Sequence, residues 1–576
     1  MPVYQVLRQE QPEDLLQLKA QLKVELTECA EVRATYKNKV AAFMETQGVW
    51  HIAELDYSLR AAYQEYLEGT IGEKALSTYM KGYDRIKQYS IRRQVRLVGS
   101  NRVKPKYENQ LLFLPYHPNQ ELAGRFETVL EKTSLLWDFR VAAPENMKRQ
   151  IFNVLHGLIE TTEDNERLRW HLKCLRVFYS YCIEQRITDI EMLELDQIKK
   201  FKETLTSGYG ENNMAGIAEL ARKTLFMQAD EINWKAHVWY LERFHFQPER
   251  INPSNPVKRL SFLEVTHKRN RELLKQYMQY GLGITNLVIA NLRSEMIVVR
   301  RFLADLNQNE DENVCMVTEQ QMEVYFQKQQ EKPIQAETFN DIVMGIVHFF
   351  NFLQVRQYIE KPPFRAEYYL KKSIVQHHDR SVESEVIQEI LRKLHLFPEE
   401  LRLMFLHLWS LGLRISEVCT LKGNAYYIQG RDTWIQVYQI KMKNYKRIPI
   451  PEALYELMMV YLKRHSIGPD DYVFQNRKNG AYCTTTFRSK MKRLCAENMI
   501  QNEEYLFRSH DYRHGVATLF YENGVSLQGV RDYLGHSYEE MTQQYLDYIP
   551  RKIANKNDEY FSQHNSLASI LKTEKR

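Results

Sequence analysis

Residues 510–548 read HDYRHGVATLFYENGVSLQGVRDYLGHSYEEMTQQYLDY. Their apolar spacing predicts short helices at about 511–523, 526–534 and 538–548. Four polar side chains stand at fixed steps along this run. His510 and Arg513 form an H-x-x-R, His536 follows Arg513 by 23 residues, and Tyr545 follows His536 by nine. In a chain with 17 His and 36 Tyr, each of these has a plain packing explanation. The information lies in their order and spacing.

Upstream, a buried helix at about 399–413 runs into GLRISEVCTLK (412–422), which puts Arg414 just beyond the helix, with Glu417 as its nearest ion-pair partner. Trp434–Ile440 alternates as WIQVYQI and reads as a strand, as does Arg447–Ile450. The intervening KMKNYK reads as a hairpin tip carrying Lys441 and Lys443. Helices at about 383–395, 452–465 and 484–499 complete the region. Residues 379–550 therefore read as an α+β domain, mostly helical, with a small antiparallel sheet.

The chain carries a net charge of only +6, but unevenly. Between Lys441 and Arg493, twelve Lys/Arg face Glu452, Glu456, Asp470 and Asp471. Between Lys81 and Lys106, nine Lys/Arg face Asp84, with Tyr83 and Tyr89 interleaved. One such run is usually a solvated face. Two in a nearly balanced chain point to a polyanion, because Lys and Arg displace condensed counterions from nucleic acid.

Most of the first 375 residues have helical periodicity. Residues 1–80 read as long amphipathic helices, and the stretch near Lys104–Pro118 is less periodic. Two later segments resemble each other. One runs 168–181, 188–201 and 232–246; the other runs 292–306, 312–326 and 337–353. Phe178 to Phe201 and Phe302 to Tyr325 are both steps of 23 residues. This predicts tandem copies of one helical module, the first with about twenty extra residues around Ser207–Arg222.

Composition excludes several classes. At 44% apolar, 26% charged and 12% aromatic, the 576 residues suit a soluble globular protein of several domains. No charge-free run is long enough for a spanning helix, and the acidic start MPVYQVLRQEQPEDLL is not a signal peptide, so a cytoplasmic location is expected. Seven scattered Cys with no C-x-x-C argue against a disulfide framework, and no His/Cys set has metal-ligand spacing.

Taken together, Arg414, the hairpin lysine, H-x-x-R, L-G-H-S and Tyr545 resemble the catalytic domain of the tyrosine recombinases, also called the phage integrase family. The resemblance covers about 380–550 strongly and 280–375 moderately. The long N-terminal region is more like that of transposon-encoded members. The implied organisation is a helical N-terminal region at 1–125, a module resembling a core-binding domain at 126–262, a core-binding domain at 263–378, the catalytic domain at 379–550 and a tail at 551–576. The helical modules would bind DNA.

The resemblance also implies roles. Arg414 and Arg513 would cradle the scissile phosphate, with His510 beside them and His536 on a non-bridging oxygen. Leu534 and Gly535 would turn the chain so that His536 faces the site. Lys441, eight residues before Pro449 as in the family, would protonate the leaving 5′-hydroxyl, with Lys443 as the alternative. Tyr545 would be the nucleophile. The expected activity is site-specific DNA recombination or integration, as by a transposase, without cofactor or metal. Its partners would be double-stranded DNA, further copies in a tetrameric synapse and possibly another recombinase of the same element, in a bacterial cytoplasm with no membrane attachment. A type IB topoisomerase shares this chemistry, and a non-catalytic DNA-binding accessory protein is the other alternative.

Overall fold

The computed structural model describes residues 12–535, apart from 69, 100–105, 109, 127–128, 130–131, 209–211, 310–312 and 374–380. The expected helix at 538–548, His536, Tyr545 and the 551–576 tail lie outside the described residues. The chain divides into two compact units, at residues 240 and 241. Among the described residues, no helix is long and apolar enough to cross a membrane.

The first unit begins with four helices, α1 (Pro12–Glu28), α2 (Ala34–Thr46), α3 (Tyr57–Glu68) and α4 (Glu73–Val98). They bury Leu22, Phe43, Tyr63, Tyr83 and Ile86. Most of the first basic window is therefore helix α4, and Tyr83 belongs to the core rather than to a binding face. Its one acid, Asp84, is buried. It accepts from Arg60 Nε at 2.7 Å, Lys132 Nζ at 3.0 Å and Tyr116 Oη at 2.8 Å. These cations offset the burial that would otherwise raise the carboxyl, and hold it below its ordinary range.

A two-stranded ribbon, β1 (Leu111–Phe113) and β2 (Leu136–Asp138), flanks the short α5 (Gln120–Gly124). Then come α6 (Glu145–Thr161), α7 (Asn165–Glu184), α8 (Leu195–Gly208), α9 (Gly216–Gln228) and the short strand β3 (Val238–Tyr240). Helix α6 packs on α7 and α9, and α7 on α9. In the second unit, β4 (Arg259–Ser261) precedes α10 (Lys268–Gly283), α11 (Ile289–Asn309), α12 (Glu319–Gln330) and α13 (Ala336–Val355). Here α10 packs on α11 and α13, and α11 on α13.

The two four-helix groups share an internal detail. Phe178 of α7 meets Phe201 of α8 edge-on at 5.1 Å, and Phe302 of α11 meets Tyr325 of α12 edge-on at 5.0 Å. One part of the sequence alignment needs correcting. Residues 232–246 are not helical: they hold β3 and a 3-10 turn. The counterpart of α13 is α9, formed by the residues that looked like an insertion. Bulky residues make 232–246 apolar enough for a helix, but Trp234, Trp239 and Phe244 recur every five positions, off the helical period, and Trp239 is buried in extended backbone.

The rest of the second unit has α14 (Ser384–Lys393), α15 (Glu399–Leu411), α16 (Ile415–Cys419), β5 (Tyr426–Gln429), β6 (Asp432–Gln439), β7 (Asn444–Pro449), α17 (Glu452–Arg464), α18 (Thr484–Glu497), α19 (Ser509–Glu522) and α20 (Leu527–Leu534). The sheet is antiparallel in the order β5-β6-β7, with Trp434 opposite Pro449 and Gln439 opposite Asn444. Strand β5 was not expected: its Tyr427-Ile428-Gln429 run is half-buried to exposed and carries little apolar signal. The core joins Met404, Leu408, Val418, Ile435, Val437, Ile448, Phe474 and Phe487. The class is α+β, mostly helical with small antiparallel sheets.

Candidate active site

Helix α15 ends at Gly412, which caps it with φ +61°. Glycine tolerates this left-handed turn, where a Cβ would also crowd Val516 at 3.1 Å. The turn frees the chain to restart two residues later, so Arg414 becomes the N-cap of α16. Glu417, three residues on, reaches back: Oε2 accepts from the Arg414 backbone N–H at 2.9 Å, and Oε1 from its guanidinium at 2.8 Å. Glu417 is only 1% exposed. Burial alone would raise its carboxyl, but Lys446, Arg513 and Arg414 together bring it below the usual carboxylate range.

Arg513 lies in α19 and is 1% exposed. Its guanidinium spans two helix ends: Nη1 donates to the Gly412 carbonyl at 2.9 Å and Nη2 to the Leu534 carbonyl at 2.7 Å. It thereby ties the end of α15 to the end of α20. His510 stands one turn before Arg513, on the exposed start of α19, with its ring edge-on to His514 at 5.0 Å.

The hairpin holds three lysines in two different settings. Lys441 and Lys443 both sit on the exposed turn between β6 and β7, Lys443 with φ +55°. The lysine that the buried cluster encloses is Lys446, 7% exposed. Its Nζ lies 3.8 Å from Glu417 Oε2 and donates to the Tyr533 carbonyl at 3.4 Å. Burial, only partly offset by Glu417, lowers it to about 8. Beside it, Gln439 is buried at the end of β6. Its Nε2 is 3.4 Å from Glu417 Oε1 and 3.3 Å from the Leu534 carbonyl.

Sequence reasoning missed Gln439 and Lys446, although a signal was there. Along β7 the buried positions are Lys446 and Ile448, continued by Ile450 just beyond it, and along β6 they are Ile435, Val437 and Gln439. Strand side chains alternate with period two, so both polar residues are in phase with the apolar core face. Gly535, in turn, has φ +68° and caps α20. A Cβ there would come within 2.4 Å of the Gln439 amide.

Arg414, Arg513 and Lys446 thus surround one carboxylate, at the meeting of α16, α19, the hairpin and the end of α20. Three cations against one buried anion leave a net positive cluster, with a charge suited to a phosphate. Residues 380–550 match the family model for the phage integrase family. This domain is thus similar to those of the phage integrase family. Transposase B from transposon Tn554 of Staphylococcus aureus is 25% identical over 336 residues, covering 57% of this chain and 53% of that protein. The chain thus spans about half the length of this transposase. A tyrosine recombinase of Pseudothermotoga lettingae is 23% identical over 285 residues, 49% of this chain and 95% of that one. Among solved structures, the XerH site-specific recombinase bound to its palindromic difH substrate aligns with a TM-score of 0.39 at 14% identity, over 52% of this chain and 90% of that one. Leu534 and Gly535, the first two residues of L-G-H-S, lie at the α20 end that Arg513, Gln439 and Lys446 hold.

Proposed function

We propose that the chain is a site-specific DNA recombinase of a mobile element, cleaving and rejoining DNA through a 3′-phosphotyrosyl intermediate. The observation that carries this reading is the convergence of Arg414 and Arg513 on Glu417, each anchored before any substrate arrives. Attack on a phosphodiester builds a second negative charge on its non-bridging oxygens. Two preorganised guanidiniums answer that charge, and losing one such donor costs roughly 3–4 kcal/mol of barrier.

In this reading, the Tyr545 hydroxyl oxygen attacks phosphorus and releases its proton to solvent water. The bond from phosphorus to O5′ breaks, and a hairpin lysine, Lys441, protonates the leaving oxygen. His510 and His536 contact the phosphate oxygens. The energy of the broken bond stays in the phosphotyrosine, so rejoining to a new 5′-hydroxyl needs no nucleotide. DNA contact is supported by the face of α18 that exposes Arg488, Lys492 and Arg493, and by Lys81, Arg85 and Arg96, which are exposed along α4. Further copies would assemble on paired sites in the bacterial cytoplasm.

The test is a nicked suicide substrate carrying the ends of the element that encodes the chain. The full chain is expected to form a covalent adduct that survives denaturation. Absence of any adduct, with DNA bound, would leave only a binding protein.

A further inference from the structure

The carbonyls at an α-helix C-terminus lack partners within the helix. At the end of α20, side chains from other elements take them up. Lys446 Nζ donates to the Tyr533 carbonyl at 3.4 Å. Arg513 Nη2 donates to the Leu534 carbonyl at 2.7 Å. Gln439 Nε2 lies 3.3 Å from the Leu534 carbonyl and 3.5 Å from that of Gly535. Two of the three donors come from the hairpin, and both also face Glu417. The position is exacting, because Gly535 admits the Gln439 amide only by lacking a Cβ.

We propose that Gln439 and Lys446 are positioning residues for strand cleavage. They form a latch by which the β6–β7 hairpin clamps the end of α20 to the Glu417–Arg414 pair, fixing where the chain leaves that helix at Gly535. The inference rests on the recombinase reading above. Lys446 acts through its neighbours and is distinct from the turn lysines. It is polar where the strand period calls for an apolar residue, and a buried ammonium costs stability unless its contacts are used.

Charge gives the latch a signature. The groups facing Lys446 are Glu417 and Arg414 from α16, Arg513 from α19 and Tyr533 from α20. The cations around Glu417 keep it ionised, and burial pushes Tyr533 up to about 12. Only Lys446, lowered to about 8, titrates near neutrality among them. Its folded value lies below the free one, so it loses its proton, and its hold on Glu417, as pH rises through about 8. An arginine there stays charged.

The test uses the full chain with Lys446→Met, Lys446→Arg and Gln439→Leu, read by single-turnover adduct formation at sub-saturating DNA from pH 6.5 to 9.5. A separate measurement on the free proteins follows hydrogen exchange over residues 527–535. Lys446→Met and Gln439→Leu are expected to slow cleavage roughly 10- to 100-fold at unchanged DNA affinity, the scale of a small misplacement. Both are expected to speed exchange at the end of α20. Lys446→Arg is expected to recover most of the rate and to shift the alkaline fall-off upward. Cleavage by Lys446→Met at the wild-type rate, or identical pH profiles for Lys446→Arg and wild type, would overturn the latch. A wild-type protein that forms no adduct would instead count against the recombinase reading, and unchanged exchange in both variants would then still refute the latch.

Discussion

Arg414 and Arg513 are similar in chemistry but not in anchorage. Arg414 is held by a carboxylate three residues away in its own helix, so in the proposed reading Arg414→Ala removes a phosphate donor, and Glu417 keeps Lys446 and Arg513 as partial compensation. Arg513 holds two carbonyls at helix ends, so Arg513→Ala also strands buried acceptors, at about 1–3 kcal/mol. Both are expected to bind DNA yet lose at least 100-fold in adduct formation, with only Arg513→Ala lowering the melting temperature clearly. Thermal unfolding beside a cleavage assay separates them. Gly535→Ala joins a left-handed strain of about 1–2 kcal/mol to a clash with Gln439, and is expected to cost both stability and cleavage. The motif resemblance singled out both arginines, and the structure brings them around Glu417. It did not single out Lys446, because attention to the turn obscured the strand phase that turns it inward.

At the scale of elements, the sequence pattern read helices better than short strands. The boundaries of α15, α17 and α19 fall within two residues of expectation, because long apolar periodicity marks them. Strand β5 has only four residues, and 232–246 has the apolar content of a helix but packs bulky residues in extended backbone. Helix α15 also carries an acid weakness. His407 is wholly buried. Its Nδ1 lies 2.7 Å from the Leu403 carbonyl and its Nε2 2.8 Å from the Tyr426 hydroxyl. Burial lowers it to about 4. The unfolded chain protonates this imidazole near pH 6.5 and the folded one only near 4. The stability of the neutral form is therefore full above about 6.5 and is lost as pH falls toward 4, on the order of 3 kcal/mol. His407→Gln is expected to flatten that part of the pH-stability curve, as measured by denaturant unfolding.

For the whole molecule, the proposed recombinase reading extends DNA contact beyond the catalytic domain. In α4, Arg92 and Arg93 are engaged with acidic neighbours, whereas Lys81, Arg85 and Arg96 are exposed. Replacing these three by Gln is expected to weaken binding and to reduce the slope of log K against log salt by about 0.9 for each phosphate that is no longer neutralised. An unchanged slope would remove α4 from the interface. The central claim is covalent chemistry at one tyrosine. Tyr545 and Tyr548 lie three residues apart in the same stretch, and only Tyr545 has the nine-residue step from His536. Peptide mass spectrometry of a trapped, nuclease-trimmed adduct tests this directly. The predicted result is a phosphonucleotide on Tyr545, with no adduct from Tyr545→Phe. A nucleotide carried on Tyr548, or a Tyr545→Phe protein that still cleaves, would contradict the account.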